Sequence, residues 1–229
     1  MLLVPVIDLM NGQVVRARHG DRQSYRPIVS RLCAGSEPLV VARALLQRCG
    51  SGRLYVADLD ALLGGAPQTE VLRAILAAYP ALELWLDAGF DGPAAAAAWR
   101  ESLGTLGARV VPVLGSESLR VLGPLPAEAI LSLDRRDSRQ LDAAGWWSAP
   151  QHWPRRVIVM TLERVGADSG PDLDTLAAVQ QAAPHVELIG AGGIRNEADL
   201  ERAAAAGARA WLVASALHDG RIGGSMAEH

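Results

Sequence analysis

The sequence contains no lysine: its Lys+Arg total is 22 in 229 residues, and every one of these side chains is arginine. A chain without a lysine amine cannot form a Schiff base with a carbonyl substrate or hold pyridoxal phosphate covalently. It also cannot supply the lysine of a Walker A phosphate loop. These three classes of enzyme are therefore excluded.

Cysteine and clustered metal ligands are also scarce. The two cysteines, Cys33 and Cys49, are too few for a disulfide framework or a four-cysteine metal site, and they favour a reducing, cytoplasmic compartment. The five histidines lie far apart, with no His-x-x-x-His spacing, so we expect no metal. The formal net charge of −3 offers no basic surface to nucleic acid, and no such partner is expected.

Long hydrophobic runs are lacking too. The alanine run Ala94–Ala98 is far shorter than the roughly 20 apolar residues that a membrane-spanning helix needs. The first seven residues carry no basic leader and reach Asp8 too soon for a signal peptide. We therefore expect a soluble protein without a membrane partner. Its composition, 50% hydrophobic and 21% charged, is typical of a chain that buries a large core.

Short apolar runs alternate with alanine- and leucine-rich stretches of helical length. Each run is continuously apolar, as expected for a strand that is buried on both faces. The eight predicted strands are Leu3–Ile7, Leu54–Ala57, Leu82–Leu86, Val110–Leu114, Ala129–Leu133, Val157–Met160, Val186–Ile189 and Ala210–Val213. The predicted helices are Pro38–Arg48, Thr69–Ala78, Pro93–Leu103, Leu173–Ala183 and Glu197–Ala206.

This alternation predicts an α/β chain that folds as one (β/α)₈ TIM barrel over residues 1–229. A doubly wound open sheet is the alternative. The helix after the fifth strand is predicted to be short or missing, because residues 146–154 contain two prolines and three tryptophans. The helix after the eighth strand is predicted to be short or missing as well, because only a short tail follows.

An internal repeat predicts that the barrel consists of two halves, at about 1–118 and 119–229. Pro67 and Pro171 are 104 residues apart, and so are Gly89 and Gly193, each pair in a matching context. In barrels of this kind the chemistry takes place at the carboxyl ends of the strands. We therefore expect the functional residues at the carboxyl ends of the strands.

Two aspartates stand at the ends of opposite strands. Asp8 ends the first strand and Asp134 ends the fifth, so we expect both carboxylates at the mouth of the barrel, facing each other. Such a pair can remove a proton at one side of a substrate and deliver one at the other. The simpler interpretation is that each aspartate only caps a turn.

Small residues follow the seventh and eighth strands. Ala191, Gly192 and Gly193 precede Arg195 in one loop, and Ala214 and Ser215 lie in the other. Small side chains allow backbone N–H groups to approach phosphate oxygens, so this pattern predicts a phosphate site. A bare Gly-Gly pair is more often a tight turn. No serine stands in a nucleophile-elbow context, so a serine hydrolase is not expected.

The chain resembles the histidine-biosynthesis (β/α)₈ isomerases and cyclases, and ProFAR isomerase above all. The resemblance covers essentially the whole chain and is carried by Ile7-Asp-Leu-Met-Asn-Gly-Gln-Val-Val-Arg16, His19-Gly-Asp21, Val56-Ala-Asp-Leu-Asp60, Leu133-Asp134, Ala144-Gly-Trp146, Ser169-Gly-Pro-Asp172, Ala191-Gly-Gly-Ile-Arg195 and Ser215-Ala-Leu217.

The resemblance implies an Amadori rearrangement of an aminoaldose to an aminoketose without metal or organic cofactor. It makes Asp8 the base at the sugar C2 and Asp134 the acid at the ring oxygen. It places Thr161 as a polar active-site residue and Trp146 over the imidazole part of the substrate. By the same resemblance, Arg16 and Gly170 join the phosphate- and substrate-binding set. The partner implied is a small phosphorylated metabolite.

Two loops depart from the family pattern. The family reads Gly-Gly-Gly-Ile-Arg after the third strand, where this chain has Asp87-Ala-Gly-Phe-Asp91. Two carboxylates would repel a phosphate there by about 1 kcal/mol even in water. The loop after the sixth strand lacks two acidic residues of the family and reads Thr161-Leu162, then Arg164-Val-Gly166.

These departures predict a divergent paralogue that acts on a substrate with one phosphate. It resembles the functionally unassigned branch of the family in methanogens and one-carbon-metabolising bacteria. The alternatives are a genuine ProFAR isomerase and, in another class, a non-catalytic protein that binds a phosphorylated metabolite. Phosphoribosylanthranilate isomerase fits one phosphate, but its catalytic cysteine has no counterpart at Asp8. No glutaminase partner is indicated, and the oligomeric state cannot be read from the sequence.

Overall fold

A computed structural model describes residues 1–17 and 24–223. The motif His19-Gly-Asp21 and the end of the tail after residue 223 lie outside the described residues. Within the described ranges, eight parallel strands form a closed barrel in the order β1, β4, β5, β6, β7, β9, β10, β11. Their bounds are β1 Leu2–Met10, β4 Arg53–Asp58, β5 Glu83–Asp87, β6 Val110–Gly115, β7 Ile130–Arg136, β9 Arg156–Thr161, β10 Glu187–Ala191 and β11 Ala210–Val213.

The pairing of the last strand with the first closes the sheet. Leu2 lies opposite Ala210 and Pro5 opposite Val213, in a parallel register. The predicted barrel is therefore confirmed, and the open doubly wound sheet is wrong. All eight predicted strands are present, six of them longer by one to four residues.

Three short strands lie beyond the barrel. β2 (Gln13–Arg16) folds back on β1, β3 (Arg26–Pro27) adds to β2, and β8 (Arg139–Leu141) folds back on β7. The two hairpins turn through adjacent left-handed residues, Asn11 and Gly12 in one and Asp137 and Ser138 in the other. Two residues with positive φ make the tight hairpin turn whose twist matches that of the flanking strands.

Seven α-helices lie in the described part of the chain: α1 Pro38–Cys49, α2 Leu59–Leu62, α3 Thr69–Ala78, α4 Pro93–Ser102, α5 Leu173–Ala182, α6 Glu197–Ala205 and α7 Ser215–His218. The five predicted helices are all among them. None of the helices described is long and apolar enough for a bilayer crossing. Cys33 and Cys49 are free.

The connections around β7 contain no α-helix. Residues 116–129, between β6 and β7, form turns, and residues 142–155 contain two 3₁₀ turns, at Trp146–Ser148 and Pro150–His152. After β11 the four-residue α7 is the last helix of the described chain. The helices that cover the barrel are thus concentrated on the other strands.

Apolar side chains form two cores, one inside the barrel and one between the barrel and its helices. Alternation along each strand decides which core a residue joins. Trp85 fills the inner core near the amino end of the strands, where the guanidinium groups of Arg53 and Arg156 lie 6.0 and 5.5 Å from its ring. Two residues further along the same face, Asp87 points towards the mouth.

Candidate active site

The carboxyl ends of the strands open into a cavity of about 1170 Å³ of empty space, counting the part open to solvent. Asp8 and Asp134 both line it, as the sequence predicted. β1 and β7 are the first and fifth strands of an eight-stranded barrel, so the two carboxyl groups enter the cavity from opposite sides.

The two hairpins place these aspartates in the same way. Asp8 lies opposite Val15 and Asp134 opposite Leu141, each three residues before a two-residue turn. Each aspartate therefore stands where a barrel strand continues above the rim as a ribbon. The Asn11-Gly12 pair is a strong hairpin signal that the sequence analysis did not use.

Asp134 is a buried carboxyl group in which one oxygen accepts a hydrogen bond and the other accepts none. The Ser132 hydroxyl donates to Asp134 Oδ1 at 2.6 Å, and the Asp134 N–H donates to Ser116 Oγ at 3.0 Å. Asp134 Oδ2 is buried and has no hydrogen-bond partner. A side chain at Gly115 would bring a Cβ atom within 3.0 Å of Oδ2, so glycine leaves the room that this carboxyl occupies.

Burial raises the pKa of Asp134 well above its ordinary value, and the charges of Glu117 and Asp87 raise it further. A raised pKa favours the protonated carboxyl, which can donate a proton to a substrate. The environment of Asp134 therefore suits a general acid.

Asp87 is a member of this site that the sequence analysis missed. It was expected in a loop at the position of a phosphate, but its side chain lines the cavity and is 8% exposed. The Tyr55 hydroxyl donates to Asp87 Oδ2 at 3.2 Å. Burial, followed by the charges of Asp87, Asp134 and Asp8, raises the pKa of Tyr55 well above its ordinary value, so its hydroxyl stays protonated. The alternation of Trp85 and Asp87 along β5 is the signal that could have found it.

The small residues after β10 and β11 lie together, as predicted: Ala191, Gly192, Gly193, Ala214 and Ser215 all line the cavity. Gly192 and Gly193 both have positive φ, +81° and +82°. A Cβ atom on Gly193 would lie 2.1 Å from the carbonyl oxygen of Gly170, so Gly170 backs this wall without lining the cavity itself.

Arg16 lines the cavity with its guanidinium already engaged. Arg16 Nη2 lies 2.8 Å from Asp219 Oδ1 and donates to the carbonyl oxygen of Val29 at 3.0 Å. Burial, assisted by the charge of Arg16, lowers the pKa of the neighbouring His218 to about 4, so this histidine is neutral at pH 7.

The structure does not bring Thr161 or Trp146 to the cavity. The Thr161 hydroxyl donates to Asp172 Oδ2 at 2.8 Å on the helix side of β9, whereas the preceding Met160 lines the cavity. Trp146 is fully buried in the outer core, with its indole N–H unbonded. Its neighbour Trp147 instead donates from Nε1 to the Asp134 carbonyl oxygen at 3.3 Å.

Two further features concern metal ions and the hydroxyl group of Ser116. No group of three or more His, Cys, Asp or Glu side chains suited to a metal ion occurs within residues 1–17 and 24–223. The Ser116 hydroxyl, at the start of the connection after β6, donates to the Leu141 carbonyl oxygen at 2.7 Å. It therefore serves the β7–β8 hairpin that carries Asp134.

The family model for the histidine biosynthesis proteins matches residues 2–113 and 130–223. The chain belongs to this family. The part left unmatched, residues 114–129, contains the helix-free connection between β6 and β7.

Named relatives agree with the family match. Proteins named as phosphoribosyl imidazole-4-carboxamide isomerases, that is ProFAR isomerases, are similar along most of their length. The one from Acidithiobacillus ferrooxidans is 28% identical over 86% of this chain and 84% of its own. The one from Thermus thermophilus is 30% identical over 97% and 96%. An uncharacterised protein of Methanocaldococcus jannaschii is 26% identical over 96% and 94%.

Proposed function

We propose that this protein is a cofactor-independent isomerase that converts a phosphorylated aminoaldose into the aminoketose by acid–base catalysis. The observation that carries the proposal is the pair of aspartates from opposite strands in one cavity, with a proton-donating environment at Asp134. The names of the relatives support the isomerase class.

The proposed reaction needs two proton transfers in each half. Asp134 protonates the furanose ring oxygen as the bond from that oxygen to C1 breaks, and the substrate nitrogen forms a double bond to C1. Asp8 removes the C2 proton, which leaves an enolamine. Asp8 then returns its proton to C1 while Asp134 takes the proton of the C2 hydroxyl. The product is a C2 ketone, and both aspartates regain their starting protonation states.

We further propose that the substrate carries one phosphate, held by the loops after β10 and β11. Support comes from the left-handed Gly192 and Gly193 and from the small residues beside them, which allow the backbone close to a ligand. Arg16 stabilises this side through its contact with Asp219, and Thr161 acts at a distance by holding Asp172 at the start of α5. Trp146 is assigned a packing role.

Exchange of the C2 proton tests the catalytic part. A one-phosphate aminoaldose, such as the glycosylamine of ribose 5-phosphate with aniline, is incubated in D₂O and followed by NMR. We expect deuterium at C1 of the ketose product, because the proton on Asp8 exchanges with solvent before it is returned, and a fall of about 10³-fold in rate for Asp8→Asn. The control Asp174→Asn changes an acidic residue at the start of α5, outside the cavity lining, and should behave as wild type. Exchange that survives Asp8→Asn would contradict the proposal.

A genuine ProFAR isomerase is the second candidate, favoured by the relatives of that name. Turnover of ProFAR, followed by ultraviolet difference absorbance, would establish it if Asp8→Asn abolished the turnover. No turnover of either substrate, with inorganic phosphate still protecting the protein against heat, would favour a non-catalytic phosphometabolite-binding protein.

A further inference from the structure

The cavity has two unlike sides. The walls after β10 and β11 are built from glycine, alanine and serine, with Asp8 on the neighbouring β1. The opposite side carries three carboxyl groups and one guanidinium: Asp87 on β5, Glu117 after β6, and Asp134 and Arg136 on β7. A ligand that spans the cavity therefore meets mainly small residues at one end and mainly carboxyl groups at the other.

Asp87 holds both of its oxygens against the protein's own donors. Tyr55 donates its hydroxyl to Oδ2 at 3.2 Å, and the Gly89 N–H donates to Oδ1 at 3.2 Å. The Gly89 N–H thus bonds a side chain of its own loop, whereas in a phosphate-binding loop a backbone N–H of this kind points at the ligand. Asp87 is fixed in place and presents negative charge where an anion would need a donor.

Asp134 Oδ2 adds an independent sign that a ligand group belongs here. This oxygen is buried in a residue that is only 5% exposed, and it has no hydrogen-bond partner. Buried polar atoms are nearly always satisfied, so an unsatisfied one at a cavity wall indicates a partner that arrives with the ligand.

We propose that Asp87 determines specificity by binding a cationic amino group of the substrate, other than the nitrogen at C1 that takes part in the reaction, and by excluding a second phosphate from the end of β5. The inference rests on the proposed function, which supplies the phosphate at the opposite end. The substrate class is accordingly an amino-bearing sugar monophosphate, and Tyr55 is a positioning residue that keeps the Asp87 carboxylate aimed at the amine.

The test compares three sugar phosphates that share the 6-phosphate and differ at C1 or C2, the end of the sugar that would face Asp87. Glucosamine 6-phosphate carries the amine, glucose 6-phosphate replaces it by a hydroxyl, and glucose 1,6-bisphosphate adds a second phosphate. Calorimetry at neutral pH should show the amine bound at least tenfold more tightly than the hydroxyl by the wild-type protein. The bisphosphate should bind no better than glucose 6-phosphate.

Asp87→Asn should bring the amine and hydroxyl ligands within about twofold of each other and strengthen the bisphosphate several-fold. The matched control is Asp91→Asn, an exposed carboxylate in the same loop that does not line the cavity, and it should leave all three affinities unchanged. Tyr55→Phe keeps the charge but frees Oδ2, so it should reduce the amine preference only partly. Asp87→Ser replaces Asp87→Asn if the latter does not fold.

Binding of inorganic phosphate distinguishes a failure of the specificity proposal from a failure of the proposed function. If phosphate binds the wild type and Asp87→Asn equally, and the amine preference is absent or unaffected by Asp87→Asn, the specificity proposal is overturned while the proposed function stands. If phosphate and all three sugar phosphates fail to bind the wild type, the proposed function fails and the specificity proposal falls with it.

Discussion

The loops that follow β5 and β10 lie 104 residues apart in the sequence, yet they differ at the strand end and in their hydrogen bonds. Asp87 corresponds to Ala191, and Gly89 corresponds to Gly193. Gly89 and Gly193 both have positive φ, +63° and +82°. The conformation at the shared glycine is thus similar, and the side chain at the strand end differs.

The difference lies in what each loop does with its backbone. In the β5 loop the Gly89 N–H is taken by Asp87, and no side chain caps α4 at Gly92. In the β10 loop Asn196 caps α6, and Asp199 accepts hydrogen bonds from the N–H and the guanidinium of Arg195. In the β5 loop a backbone N–H donates to Asp87, whose carboxylate lies inside the cavity. In the β10 loop a backbone N–H donates to Asp199, whose carboxylate belongs to α6 behind the loop. The residue at the strand end therefore decides whether a carboxylate of the loop lies inside the cavity.

The largest effect is expected from glycine replacement in the two loops. Gly193→Ala forces a Cβ atom to 2.1 Å from the Gly170 carbonyl oxygen, and Gly89→Ala only to 3.1 Å from Leu62 Cα. We expect Gly193→Ala to lower the free energy of unfolding by about 3 kcal/mol or more and to abolish protection by phosphate. Gly89→Ala should cost about 1 kcal/mol and keep that protection.

Urea unfolding with and without inorganic phosphate measures both quantities. Equal losses in the two variants would remove the asymmetry between the loops. Retained phosphate protection in a folded Gly193→Ala protein would show that the β10 loop is not the anion site.

A middle-sized effect is expected at Asp199, which is 1% exposed and also bonds Arg202. Asp199→Asn should lower the free energy of unfolding by about 2 kcal/mol, because hydrogen bonds to a charged acceptor are weakened. The control Glu201→Gln lies on the same helix and is exposed.

The pH dependence gives the sign of this effect. The Arg195 side chain foremost holds the pKa of Asp199 well below its ordinary value. The stabilisation is therefore complete above the ordinary aspartate pKa of about 3.9 and is lost as the pH falls from there towards the lower folded pKa. Chemical denaturation from pH 7 to pH 2 should show the wild type and Asp199→Asn converging in acid. A constant difference would contradict the assignment.

The smallest change in the free energy of unfolding is expected for Asp134→Asn, on the side of the cavity that carries most of its carboxyl groups. Because the pKa of Asp134 is raised on folding, the folded state binds its proton more tightly, and stability falls as the pH rises from the unfolded pKa towards the folded one. Asp134→Asn removes that loss and should stabilise the protein by about 1 kcal/mol at pH 7. Near pH 3 the gain should vanish. Destabilisation at pH 7 would show that the folded protein stabilises the Asp134 carboxylate by more than the hydrogen bond from Ser132.

The sequence predicted the barrel well because strands buried on both faces leave continuous apolar runs. It also predicted Asp8 and Asp134, because each ends such a run. The resemblance gave Thr161 and Trp146 their expected roles, and the structure places neither side chain in the cavity lining. Their orientation depends on packing: Thr161 follows the inward-facing Met160, and Trp146 turns into the outer core.

The sequence by itself determined the number and order of the barrel strands and the small residues after β10 and β11, because apolar periodicity and side-chain size are local properties. Only the tertiary structure decided that Asp87 and Tyr55 join the cavity and that Asp134 has one unsatisfied oxygen. Those facts depend on barrel closure, which brings residues from distant strands together and removes water from around them. The burial and the charge of the groups at the mouth therefore follow from the closed barrel and not from any single strand.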